Sequence, residues 1–456
     1  LTQYDWTTPD PRFVESIAHT RALEEARRNF GFPATLPESA TLSAAFAEIF
    51  AGGRPYPVLP GEAGVVDVLR SYGDVRRYGA IGNGVHDDSP AFQSAVDFNS
   101  TVWVPEPTVA YLIPTPVTSL TKVRLIGIGD CPRIRGQGLT AAEYIFDIGI
   151  ANEIPVNGIE DVEITNLAFE HDGVGPYVHS CIRLRNVANS KFRNLKFKEC
   201  KYGMYVTGTR TFTNEYTNLV AGSNVSDNTV RFDNCHGGGH EFYGGTLSGG
   251  VDGCRVTGST GSMSSVNFYG TNFEGCGNSS FYCDVHDIVS VGFFGTRSEG
   301  VLSEWDFVFI PPSGGYANGI AFAGCYFSGK DDSPSPDAEH AIVFSGVNGG
   351  TVTGASVQGC TAEDYTVSFI RPESDGGEGS IVCGNTLRRV PAVVSTVQAG
   401  MMVFNNIDDA GNFTGNQKWN PPLATPVLNA AATDLPTAVA LLNQVRTLLR
   451  NNGQAT

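Results

Sequence analysis

Positive charge is what this sequence has least of. Lys and Arg total 30 against 47 Asp and Glu, a formal net charge of −17 with a pI near 4.9. That balance argues against nucleic acid and against anionic membrane surfaces as partners. No apolar run approaches membrane-spanning length, so no membrane segment is expected. No two cysteines stand in a CxxC pair, which argues against a zinc or redox site. The ten cysteines (Cys131, Cys181, Cys200, Cys235, Cys254, Cys276, Cys283, Cys325, Cys360 and Cys383) have apolar, glycine-rich neighbours. They are expected to be reduced core residues, since a chain of 456 residues can build a core without disulfides. Leu1-Thr2-Gln3-Tyr4 has neither the charged nor the apolar part of a secretory signal. Leu1 is not an initiator Met, and whether a leader or a whole domain was removed before it stays open.

What is abundant is glycine, 54 residues, alongside Thr, Asn and Ser, the composition of many short strands and turns. The organising stretch is DVRRYGAIGNGVHDDSPAFQSAVDF, residues 74–98. It reads as a short strand ending at Tyr78, then a turn through Gly79, Gly82 and Gly84. A helix opens behind Asp87-Asp88-Ser89-Pro90, with Asp88 or Ser89 as cap and Pro90 in the first turn. Ala91, Phe92, Ala95, Val96 and Phe98 give that helix an apolar face able to cover the raw end of a sheet. An ordinary α/β domain would go on alternating strands and helices, and no such alternation follows.

A repeat follows instead. EITNLAFEHD (163–172), KFRNLKFKEC (191–200), NFYGTNFEGC (267–276), GFFGTRSEGV (292–301), AFAGCYFSGK (321–330) and TVTGASVQGC (351–360) share an apolar strand, a Gly or Asn corner and, in most, a Phe beside it. The corners fall at Asn166, Asn194, Asn218, Gly244, Gly270, Gly295, Gly324, Gly354, Gly384 and Asn406. Gly and Asn tolerate the left-handed backbone that such a corner requires. A period in the twenties without helices is that of a solenoid whose turns stack as parallel strands, whereas propeller blades need longer repeats. The expected fold is therefore all-β, a right-handed parallel β-helix of about ten turns. Residues 1–70 read as a helical stem or docking region, broken up by prolines. Residues 71–408 form the β-helix, with a capping helix near 89–99. Residues 409–456 form a linker and a C-terminal helix, in which Leu435, Ala438, Leu442, Val445 and Leu449 recur at heptad spacing.

YGAIGNGVHDDSPAFQSAV resembles the N-terminal signature of the pectate-lyase-like β-helix superfamily, common in phage tailspikes and bacterial polysaccharide-degrading enzymes. With the repeat, the resemblance extends over 74–408. It implies a depolymerase that binds and cleaves a bacterial surface polysaccharide, located on a virion tail or outside the cell. The terminal helix resembles those of phage tail proteins, which implies a homotrimer, with the N-terminal region meeting a phage tail or baseplate protein. The superfamily holds lyases, hydrolases, epimerases and adhesins, so the chemistry is not implied. HGGGHEF (236–242) matches only part of the polygalacturonase pattern and reads as a flexible corner.

Four residues past each corner the column reads Glu170, Lys198, Gly222, Ser248, Glu274, Glu299, Ser328, Gln358 and Arg388. Glu274 and Glu299 thus share a column on adjacent turns, backbones about 4.8 Å apart. Like charges so close are candidates for an acid and a nucleophile or base. In SSFYCDVHD, alternation sends Phe281, Cys283 and Val285 inward and Tyr282, Asp284 and His286 outward. In SEWDFVF it sends Trp305 and Phe307 inward and Glu304 and Asp306 outward. Glu274, Glu299, Asp306 and Asp284 are the catalytic candidates. Tyr282, His286, Glu304, Arg255 and Arg297 are the substrate-binding candidates, and Glu170 with Asp172, near Tyr177 and His179, is the reserve pair. For any single carboxylate, a solvated surface of an acidic protein explains as much. Neither cluster has metal-site geometry and no cofactor is expected, although Ca²⁺ between carboxylates stays open. Carboxylate-pair glycoside hydrolysis leads. A lyase acting on a uronic acid polymer, with Tyr282, His286 or Arg255 as base, and a non-catalytic glycan-binding fibre are the alternatives.

The heptads predict self-association. Light scattering at micromolar concentration should return three times the 48.6 kDa chain mass, and a clean monomer would remove the trimer.

Overall fold

The computed structural model describes residues 73–140, 142–150, 158–171, 179–222, 224–330, 338–374, 376–414 and 418–419. The helices expected within 1–70 and 409–456, together with Asp172 and Tyr177, lie outside the described residues. The rest is a right-handed, all-β parallel solenoid of about eleven turns, one more than expected.

Each turn runs through three faces in order, here A, B and C. Face A holds strands such as Ser180–Arg185, Tyr202–Thr207 and Asn228–Asp233. Asp252–Met263 and Ser279–Phe294 begin on face A, and the second runs unbroken onto face B. Face C holds the short strands after the corner, such as Asn272–Glu274, Arg297–Glu299 and Tyr326–Ser328.

Face B carries the clearest register. Val102, Leu125, Ile164, Phe192, Tyr216, Phe242, Phe268, Phe293, Phe322, Val357, Val382 and Val403 pair in sequence and all are buried. Six consecutive rings stack inside it. Their centroid separations, from Phe192 to Phe322, are 5.3, 4.4, 4.6, 5.0 and 4.6 Å.

The corners behave as their chemistry requires. Asn166, Asn194 and Asn218 have φ of 58°, 51° and 52°, and Gly244, Gly270, Gly295 and Gly324 lie at 60–62°. Two corners differ from the expected positions. Gln358 pairs with Ala323, which makes Gly359 the partner of Gly324. Gly354 belongs to a second left-handed column, following Gly319 and preceding Gly379. At the last turn Asn405 bends the chain, with φ 54°, while Asn406 is fully buried and accepts hydrogen bonds from the backbone amide and side-chain amide of Asn385.

At the start, Val75–Tyr78 is a 3₁₀ turn rather than a strand, and the strand is Asn83–Asp87. Helix α1, Ser89–Phe98, covers the first turn with Ala91, Phe92, Ala95 and Val96 buried. Asp88 stands at its N-cap position, yet its carboxylate does not cap the helix. It is fully buried and accepts the amides of Ile81 (2.7 Å), Gly82 (3.3 Å) and Leu112 (3.1 Å), tying the glycine turn to the first strands. Asp87 accepts the Ser89 amide instead. The described cysteines are all free thiols, nine of them buried.

Truncating a ring in the middle of the stack leaves a cavity with packed rings on both sides. Phe268→Ala should cost about 3–5 kcal/mol, read from urea unfolding, against well under half that for an exposed residue such as Val347→Ala. Equal costs would deny the stack its role.

Candidate functional site

The sequence-selected carboxylates sort onto two faces and the interior. Glu274 and Glu299 pair in register on adjacent face C strands, as the column required. Arg297 pairs with Glu299, and its guanidinium lies 5.3 Å from the centre of the Tyr326 ring. Asn272 Nδ2 donates to Glu274 at 3.2 Å. Past Ser328 the column continues to Glu363, not Gln358, then to Arg388, because the corner is Gly359. Glu304 is exposed, and its carbonyl oxygen accepts the amides of Glu339 and His340. Glu170, of the reserve pair, is ion-paired with Arg135 at 2.7 Å.

Asp306 is a correction. It is fully buried, not outward. Phe281 pairs with Phe307, which puts Asp306 level with Ser280, and all four are fully buried. Where the chain rounds the corner into face A, two consecutive residues turn inward, and strict alternation fails. Trp305, expected inside, is only half-buried.

Tyr282, Asp284 and His286 do project outward, with Phe281, Cys283 and Val285 buried between them. They end a ladder that sequence reasoning missed. On the outer side of face A, Asp147, Arg183, Tyr205, Arg231, Arg255 and Tyr282 stand in one register column. Gly149, Arg185, Thr207, Asp233, Thr257 and Asp284 form the next. The signal was present: SCIRLR, YGMYVT and TVRFD carry Arg or Tyr at the same alternating position between buried apolar residues.

The ladder is cross-braced. Arg183 meets Asp147 with both ends of its fork, at 2.9 and 2.5 Å, and Arg185 adds a contact at 2.8 Å. Tyr205 donates its hydroxyl to Asp233 at 2.5 Å. Arg183 lies over Tyr144, 4.3 Å from the ring centre, and Arg231 contacts the Tyr202 hydroxyl at 3.2 Å. At the end of the ladder Arg255 lies 4.4 Å from the centre of the Tyr282 ring and donates to Asp284 at 2.8 Å. Behind it sits Asp252, fully buried, accepting from Ser279 (2.6 Å), Asn278 (2.9 Å), Asn228 (3.2 Å) and Arg255 (3.5 Å). Burial raises the Asp252 pKa despite those donors. Asp252 thereby fixes the guanidinium that holds Asp284. Burial likewise raises the Tyr282 hydroxyl.

One oxygen of Asp284 is held by Arg255. The other, Oδ1, is buried without a hydrogen-bond partner among the described residues. Two residues on, His286 pairs through Nδ1 with Asp287 at 2.8 Å. Among the described residues no group of three His, Cys, Asp or Glu could hold a metal.

HGGGHEF supplies structure. Gly237 and Gly239 have φ of 124° and 74°. His240 is fully buried, with its Nε2 3.0 Å from the Thr211 carbonyl and Nδ1 3.4 Å from the Tyr216 hydroxyl. Burial pushes its pKa down to about 4, so it stays neutral.

No family model and no curated protein matches the chain. The described residues form an all-β parallel solenoid. Among solved structures, the chain is similar to ORF18 of Geobacillus virus E2 (14% identity, 78% of this chain and 65% of that one, TM-score 0.46). It is also similar to tailspike protein 3 of bacteriophage CBA120 (13%, 81% and 65%, 0.43). A third is the A-module of the Azotobacter vinelandii mannuronan C-5 epimerase AlgE6 (16%, 74% and 98%, 0.38). The chain thus spans just under two thirds of the two viral proteins.

Proposed function

We propose that the outer side of face A binds a bacterial surface polysaccharide and that the chain depolymerises it. The observation that carries this is the Arg255–Tyr282–Asp284 unit: a carboxylate held at one oxygen, with the other oxygen buried and unpartnered, beside an aromatic ring and a fixed guanidinium. Sugars are recognised by such a mixture of ring surface and planar hydrogen-bonding groups. Asp284 is the acid in the leading, hydrolytic reading. To protonate the leaving oxygen its carboxyl turns outward from the position in which Arg255 holds it. Asp233 shares its column two rungs away, a backbone separation of about 10 Å, which side chains leaning toward each other bring into the range of an inverting pair. His286 with Asp287, further along the strand that carries Tyr282, supports elimination as the competing chemistry.

A second reading keeps Glu274 and Glu299 on face C as the working pair, favoured by their register on adjacent strands. Their backbone spacing suits a retaining mechanism. Arg297, paired with Glu299, would then have to be displaced or to bind substrate.

A panel of capsular and lipopolysaccharide glycans, with product mass analysis, separates these readings. Asp284→Asn should lower turnover by about 10² to 10⁴-fold, the range for a general acid, with the melting temperature little changed. Glu274→Gln and Glu299→Gln should stay within a few-fold of the parent. The reverse pattern would move the chemistry to face C. An ultraviolet-absorbing unsaturated product would establish elimination, and a bound glycan without new ends would leave a binding fibre.

A further inference from the structure

Asp306 has no part in the face A site, yet it is the most heavily enclosed acid of the later turns. No atom of it reaches solvent. Ser298 Oγ donates to Oδ2 at 3.0 Å and the Tyr365 hydroxyl donates to the same oxygen at 2.5 Å. Ser280 Oγ lies 2.7 Å from Ser298 Oγ and extends the chain of hydroxyls. Oδ1 is buried with no partner among the described residues. The sequence neighbour Phe307, and Phe281 on the preceding rung, are both fully buried.

The titratable groups facing it are few. Tyr365 is itself fully buried, and burial drives its hydroxyl well above the usual range. Cys276 is a buried thiol pushed up to about 12, chiefly by burial. Among the described residues, no Lys, Arg or His forms an ion pair with Asp306. An unpaired carboxylate in such a place is costly, and a carboxyl so placed takes up a proton instead.

We propose that Asp306 is carried as a neutral carboxylic acid and acts as a proton-linked lock. It joins Ser298 on one turn to Tyr365, two turns further along, and once the proton leaves, the buried and unpaired charge opposes folding. Burial raises its pKa to about 7, outweighing the two donated hydrogen bonds. The folded pKa stands above the unfolded one of about 3.9. The lock therefore contributes fully below pH ~4 and is lost as pH rises through about 7.

The histidines work the other way. Burial lowers His240 and His340 to about 4, so their contribution is present above pH ~6.5 and is lost as pH falls toward 4. A raw stability curve mixes the two effects, and the difference between the parent and Asp306→Asn isolates one.

The test is urea unfolding of both proteins from pH 5 to pH 8.5. Relative to Asp306→Asn, the parent's folding constant should fall as pH rises, by about 10²-fold across this window, the part of the three-unit shift that lies above pH 5. A difference that stays flat or grows with pH would overturn the lock. Should Asp306→Asn fail to fold, isotope-edited infrared spectra of the parent decide the matter. A protonated buried carboxyl band at pH 5.5 that fades through pH ~7 upholds it, and its absence at pH 5.5 refutes it. Tyr365→Phe removes a donor that favours the ionised form, so it should move that transition to higher pH. A shift to lower pH would count against the lock.

Discussion

The constraint on which the molecule depends is the in-register stacking of the inward column on face B. Six rings from Phe192 to Phe322 lie one above another at 4.4–5.3 Å, near the spacing of the strands that carry them. A slip of one residue on any turn would send its ring into water and pull a polar residue inside. Register on face B is thus strongly specified, and because each turn is continuous it propagates to faces A and C. The outward columns are straight because the inward ones cannot shift.

That propagation turns scattered polar residues into a surface. Arg183, Tyr205, Arg231, Arg255 and Tyr282 are separated by 22 to 27 residues, yet each stands beside the next. In a chain of net charge −17 the ladder is nearly balanced, with Asp147, Asp233, Asp252 and Asp284 meeting Arg183, Arg185, Arg231 and Arg255. Such mutual bracing fixes the groups without filling the face with one sign of charge. Among the carboxylate oxygens of the ladder, Asp284 Oδ1 stands out because the bracing stops short of it.

Much of this was legible beforehand. The repeat, the left-handed corners, the covering helix and the register of Glu274 with Glu299 all follow from spacing and from what Gly and Asn permit. The failures are local. TVTGASVQGC contains two glycines five residues apart, both at corners, and only strand pairing tells Gly359 from Gly354. Asp88 looks like a helix cap, while its carboxylate binds amides brought together by the turn and the first strands. Asp306 defeats a period-two count because the corner into face A breaks that period. The ladder is hard to read from spacing because the Gly and Asn corner that sets the register leads from face B to face C and away from face A.

The most direct measurement is a structure of the protein with an oligosaccharide cut from its host glycan. The sugar rings are expected along the outer side of face A, with a glycosidic oxygen near Asp284 and ring contact to Tyr282. Sugar bound on face C over Glu274 and Glu299, with face A bare, would contradict the assignment.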